Sequence, residues 1–154
     1  MGNRIFGCDD CLAACPWNDR AKAGRELRLA ARAEDAAFPN LLDWLALLAQ
    51  EAVFKAKFAG TPLLRPKREG LRRNVCIALG NVGGEDAIAP LMEVLQTDSS
   101  SVVRATAAWA LGEIAQRTAN NAVWETLRKL GECETDVLVG EEIRDALLSE
   151  NPSH

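Results

Sequence analysis

"LRRNVCIALGNVG", residues 71–83, and "VRATAAWALGEIA", residues 103–115, superpose without a gap at an offset of 32 residues. Arg72 falls on Arg104, Ala78 on Ala110, Leu79 on Leu111 and Gly80 on Gly112. A weaker echo, "IRDALLSE", begins at Ile143 after a longer loop. Between the first two copies lies "EDAIAPLMEVLQTDSSS", an amphipathic helix running into a Ser/Asp cluster suited to capping. A period in the low thirties, built from two helices, marks an α-solenoid. Ala105, Ala107, Ala108 and Ala110 let neighbouring helices approach closely, while Trp109, Leu111 and Ile114 fill the space between layers.

The rest of the chain agrees with an all-α reading. Its 154 residues are enough for one ordinary domain. Alanine and leucine dominate over valine and isoleucine, which favours helix over sheet. "FPNLLDWLALLAQEAVFKAKFAG", residues 38–60, carries a broad apolar surface, with Asn40 as a cap and Gly60 as a stop. "TPLLRPKREG" is a connector with two prolines and several cations, and residues 19–37 read as a linker. The expected organisation is therefore a cysteine segment over 1–18, a linker over 19–39, a helical connector with a basic end over 40–67, and a repeat domain over 68–150. No apolar run approaches the roughly 20 residues of a membrane span, and no export signal opens the chain. The expectation is a cytoplasmic protein with reduced thiols and no membrane partner.

A net charge of -4 conceals a split. Residues 1–73 hold 13 Lys/Arg against 9 Asp/Glu, whereas residues 85–154 hold 5 against 13. The densest basic stretch contains Lys55, Lys57, Arg65, Lys67, Arg68, Arg72 and Arg73 against the single Glu69. Such a stripe points either to an anionic partner such as nucleic acid or to an ordinary solvated face.

"IFGCDDCLAACPWN", residues 5–18, places three cysteines in eight positions. The spacing Cys8-x2-Cys11-x3-Cys15-Pro16 is not that of a closed zinc site, which takes four ligands in two pairs. Cys76 reads as a small core residue, Cys133 has no cysteine neighbour, and His154 is the only histidine. The run does match the tail of the ferredoxin pattern C-x2-C-x2-C-x3-C-P, whose last cysteine ligates the other cluster of a pair. Soft thiolates suit iron and sulfide. No phosphate-cradling glycine loop, Ser/His/Asp set or paired carboxylate site stands out, so no catalytic residue is assigned.

Two families share these features. The stretch around Asp98, Val103, Arg104, Ala107, Ala110, Leu111 and Gly112 resembles HEAT-like repeats, in which the arginine and the aspartate brace adjacent turns. "GNRIFGCDDCLAACPWN" resembles the second iron–sulfur motif of epoxyqueuosine reductase, and "FAGTPLLRPKREGLRRNVCIALGN" resembles the segment leading into that family's C-terminal HEAT-like domain.

The resemblance implies a C-terminal piece of an enzyme that removes an epoxide oxygen from a modified base at the tRNA wobble position. That family uses cobalamin, held by an N-terminal part not present here, and two [4Fe-4S] clusters. By the family pattern Cys8 and Cys11 would join one cluster and Cys15 the other, each completed by ligands from the missing part. On this reading the chain alone holds no stable cluster and is inactive. Arg65, Lys67, Arg68, Arg72 and Arg73 are then expected to contact the tRNA backbone near the anticodon, the alternative being that Arg72 and Arg73 pack against Glu and Asp of the acidic repeats. Trp17 either shields a cluster or anchors the turn after Pro16. The rival is a HEAT-like protein-binding scaffold with no redox role, which leaves the three cysteines unexplained.

Overall fold

The computed structural model describes residues 4–7, 10–20 and 40–150. Every regular element among them is helical: α1 (Asp10–Ala13), α2 (Leu41–Leu47), α3 (Glu51–Lys57), α4 (Lys67–Val82), α5 (Ile88–Thr97), α6 (Ser101–Thr118), α7 (Asn121–Cys133) and α8 (Val137–Ser149), with short 3-10 turns at Pro16–Arg20, Pro62–Leu64 and Glu85–Ala87. The expected linker, 19–39, lies outside the described residues but for Asp19, which sits in the first of these turns with Arg20.

Helices α4, α6 and α8 lie side by side. The second layer is α2 on α4, α5 on α6, and α7 on α6 and α8. Between the layers Phe54, Leu71, Leu91, Leu111, Ile114, Leu127 and Ile143 are fully buried. A core leucine or isoleucine of this kind contributes roughly 2–5 kcal/mol relative to alanine.

The small residues of the repeat set the spacing of the row. A Cβ built on Gly80 would meet Ala110 Cα and Cβ at 3.1 Å and Trp109 Cζ3 at 2.5 Å. One on Gly112 would meet Ala146 Cβ at 3.0 Å. Each inner helix thus presents a glycine to an alanine of the next, and the indole of Trp109 lies over Gly80. Gly80 O and Gly83 O, at the end of α4 and its cap, accept hydrogen bonds from Arg117 at 3.0 and 2.6 Å, so the last turn of α6 satisfies carbonyls that α4 leaves without a helical partner.

The third copy is shifted from the sequence alignment. The sequence echo begins at Ile143. In the structure α8 already starts at Val137, capped by Asp136, whose Oδ1 accepts from the Leu138 and Val139 amides at 3.0 and 3.3 Å. Val139, Ile143 and Ala146 are buried with the spacing of Val103, Ala107 and Ala110. Ile143 therefore takes the place of Ala107, one turn further along.

Upstream, the stretch 40–58 forms two helices. Asn40 caps α2, its Oδ1 accepting from the Asp43 amide at 2.8 Å. The break falls at Leu48, which is fully buried and whose carbonyl accepts from Arg68 Nη1 at 3.0 Å. Gly60 supplies the expected stop with φ 73°. Trp44 stacks on Phe58 with ring centroids 5.4 Å apart, closing α2 onto the end of α3.

Candidate nucleic-acid interface and the cysteine segment

The five arginines and lysines singled out at positions 65–73 separate into two groups. Arg65, Lys67 and Arg73 are exposed. Lys67 opens α4 directly after Pro66 with φ 59°, an uncommon backbone conformation for lysine. These three project from the connector and from the solvent side of α4.

Arg68 and Arg72 point the other way. Arg72 is 8% exposed, and its Nη1 lies 2.7 Å from Asp98 Oδ2. The contact is an ion pair without full hydrogen-bond alignment, since Arg72 Nε and Asp98 Oδ2 have no aligned partner among protein atoms. Of the two readings of Arg72, tRNA contact is corrected and packing against an acid of the repeats is the one realised: a buried guanidinium facing a buried carboxylate is not available to a phosphate. Arg68 donates to Leu48 O, pairs with Glu51 at 3.1 Å and lies 3.7 Å from Asp98. Its role is to tie α2 and α3 to the corner before α6. Asp98 Oδ1 meanwhile accepts from the Ser100 amide at 2.8 Å, shaping that corner.

Arg104 is a brace of similar kind, as expected for the arginine of such a repeat. Its Nη1 donates to the Asp98 carbonyl at 3.1 Å, and its Nη2 lies 3.7 Å from both Glu134 and Asp136. The Asp98 carboxylate serves the arginine of the preceding copy.

The cysteine segment sits against α4. Asn74 Nδ2 donates to Ile5 O at 2.9 Å, and Ile5 packs on the main core. Arg4 pairs with Asp10 at the start of α1. Cys11, on α1, is exposed, and Cys15 is half-buried. Cys8 lies outside the described residues. Among the described residues no group of three or more potential metal ligands converges. Cysteine sulfur is the donor type that an iron–sulfur cluster takes, but Cys11 and Cys15 do not by themselves complete a four-cysteine set.

Cys76 behaves differently. It is fully buried, and desolvation pushes its thiol up to about 12, against the opposing pull of the nearby Arg72 charge. It is a protonated core residue rather than a thiolate ligand. Trp17 is 82% exposed, so it does not anchor the turn that follows Pro16. Phe6 is also exposed. Sequence reading missed Asn74, because nothing local signals that a helix amide reaches a residue 69 positions earlier.

Among the described residues no helix is long and apolar enough to cross a membrane. Residues 61–147 match the family model for HEAT repeats. An epoxyqueuosine reductase of Xanthomonas campestris is 37% identical over 115 residues, covering 73% of this chain and 31% of that protein. A crystal structure of epoxyqueuosine reductase superposes with a TM-score of 0.82 at 30% identity, covering 96% of this chain and 37% of the other. A second one, holding an epoxyqueuosine-modified tRNA stem loop, superposes with a TM-score of 0.80 at 30% identity over the same shares. The chain spans about a third of the length of the curated epoxyqueuosine reductases it matches. It belongs to the HEAT-repeat family, with epoxyqueuosine reductases among its relatives.

Proposed function

We propose that this chain serves as the C-terminal module of an epoxyqueuosine-reductase-type enzyme acting on tRNA. Its HEAT-like helices would hold the anticodon stem loop through Arg65, Lys67 and Arg73. The observation that carries this reading is the likeness of nearly the whole chain to a reductase that was solved with a tRNA stem loop. The exposure of these three cations, beside a motif of thiol donors, supports it.

Cys8, Cys11 and Cys15 would supply ligands to two [4Fe-4S] clusters whose remaining cysteines, like the cobalamin site, belong to other parts of such an enzyme. When bound, the clusters pass single electrons. What this chain itself contributes is position: α4 holds the cysteine segment and, on its exposed side, the cations that would meet phosphate. The exposed Phe6 and Trp17 flank that segment and offer apolar surface to the part of the enzyme that would cover it.

The test is binding of an anticodon stem-loop RNA to the purified chain at several salt concentrations. The expected result is an affinity that falls with salt and weakens further when Lys67 or Arg73 is replaced by glutamate. Wild-type and variant chains that bind equally would remove the nucleic-acid role from these residues.

A further inference from the structure

Asn74 uses its carboxamide at both ends. Oδ1 accepts from Arg73 Nε at 3.2 Å and from Arg73 Nη2 at 2.9 Å. Nδ2 donates to the Ile5 carbonyl at 2.9 Å. The guanidinium is a donor only, so it determines which end of the carboxamide is oxygen, and it leaves the N–H facing Ile5. The hold extends beyond one bond. Ile5 buries part of its side chain on the solenoid core, and Arg4 pairs with Asp10, the first residue of α1. Cys11 is the second residue of that helix, and Cys15 lies two positions past its end.

We propose that Asn74 is the positioning residue that docks the cysteine segment on α4, with Arg73 orienting its carboxamide. The role needs an N–H donor at this position. A carboxylate in its place would satisfy Arg73 but would set oxygen against oxygen at Ile5. Docking of this kind fixes where the thiols stand relative to the helix row, whatever completes their ligand set. It does not depend on the nucleic-acid reading.

The δ1-methyl of Ile5 reports docking directly, because it leaves the core when the segment lifts off. The chain has four other isoleucines, Ile77, Ile88, Ile114 and Ile143, whose methyls report whether the solenoid is folded. Methyl NMR of the full chain is therefore the experiment. In Asn74→Ala the Ile5 methyl is expected to shift to its solvent-exposed position, while the other four stay in place. Asn74→Asp is expected to look the same at neutral pH and to re-dock on acidification. A protonated carboxyl again carries a donor, and the Arg73 charge places that return below the ordinary aspartate value of about 3.9. Among the described residues from Arg4 to Asp10 the charged groups are those two, and they are paired with each other; Asp9 lies outside the described residues. Arg73→Met is expected to give a smaller shift, since the carboxamide is then free to turn. An Ile5 methyl unmoved in Asn74→Ala overturns the proposal. So does an Asn74→Asp chain whose Ile5 methyl stays docked at neutral pH, where the carboxylate has no donor to offer the Ile5 carbonyl.

Discussion

Arg72 Nη1 stands 2.7 Å from Asp98 Oδ2, and both side chains are almost wholly out of water. The pair joins the middle of α4 to the corner between α5 and α6. Breaking a buried pair by removing one partner leaves an uncompensated charge, which costs about 3–5 kcal/mol. Asp98→Ala is expected to lose that much in a denaturant titration. Replacing Arg72 and Asp98 together with apolar residues of similar size should recover most of the loss, because the double variant leaves neither charge stranded.

Gly80 and Gly112 occupy equivalent places but differ in how tightly they are held. At Gly80 an added methyl meets backbone as well as the Trp109 ring; at Gly112 it meets chiefly the Ala146 methyl. Overpacking costs roughly 1–3 kcal/mol, against a helix-propensity gain of up to about 1 kcal/mol from alanine. Gly80→Ala is expected to be net destabilising in thermal melts, and Gly112→Ala close to neutral. Combining Gly80→Ala with Trp109→Ala should cost less than the sum of the two.

Exposed and buried cations should separate in RNA binding. Lys67→Glu or Arg73→Glu is expected to weaken a stem-loop complex with little change in melting temperature, and to reduce the steepness of its salt dependence by about 1 in the log–log slope. Arg72→Met is expected to show the reverse, a loss of stability first. Equal effects at all three positions in both measurements would contradict the division drawn from their burial.

Glu142 lies on α8, in a niche of about 290 Å³ that it lines with Ile77, Thr106 and Trp109. Partial burial raises its pKa above the usual glutamate value, and the neighbouring Asp145 raises it further. A carboxyl that binds its proton more tightly when folded opposes folding above that raised pKa, and the penalty fades as pH falls through it. Glu142→Gln is expected to melt higher than the wild type at neutral pH and to converge with it in acid. A melting difference that persists unchanged at low pH would trace the effect to packing instead.

Thiol chemistry offers a simple contrast. Cys11 and Cys133 are exposed, whereas Cys76 is sealed in the core with its thiol held protonated. Under reducing-agent-free native conditions, alkylation followed by mass mapping should label Cys11 and Cys133 and spare Cys76. Labelling of Cys76 should appear only as denaturant passes the unfolding midpoint.

The solenoid was legible because its pattern is carried by residues that repeat in sequence: the Ala-Leu-Gly steps recur at a fixed offset and face one another in space. The third copy was misplaced by one turn because Ile143–Arg144 imitates Val103–Arg104, and the local cap at Asp136 outweighs that likeness. The basic cluster showed its composition but not its orientation. Arg72 and Arg73 are adjacent in sequence, yet on a helix a step of 100° sends one toward Asp98 and the other to solvent. The Asn74–Ile5 contact left no trace in the sequence, since it depends on how a non-repetitive segment folds back on the stack.

The recurring glycine-to-alanine contact makes the helix row a ruler. Gly80 meets Ala110 and Gly112 meets Ala146, so each step from α4 to α6 to α8 is one graduation of closely packed helices, about 8–10 Å or less. Whatever is fixed to α4, including the segment that carries Cys11, stands two such steps from α8. Widening one step with a larger residue would move one end of that scale relative to the other without altering a group at either end.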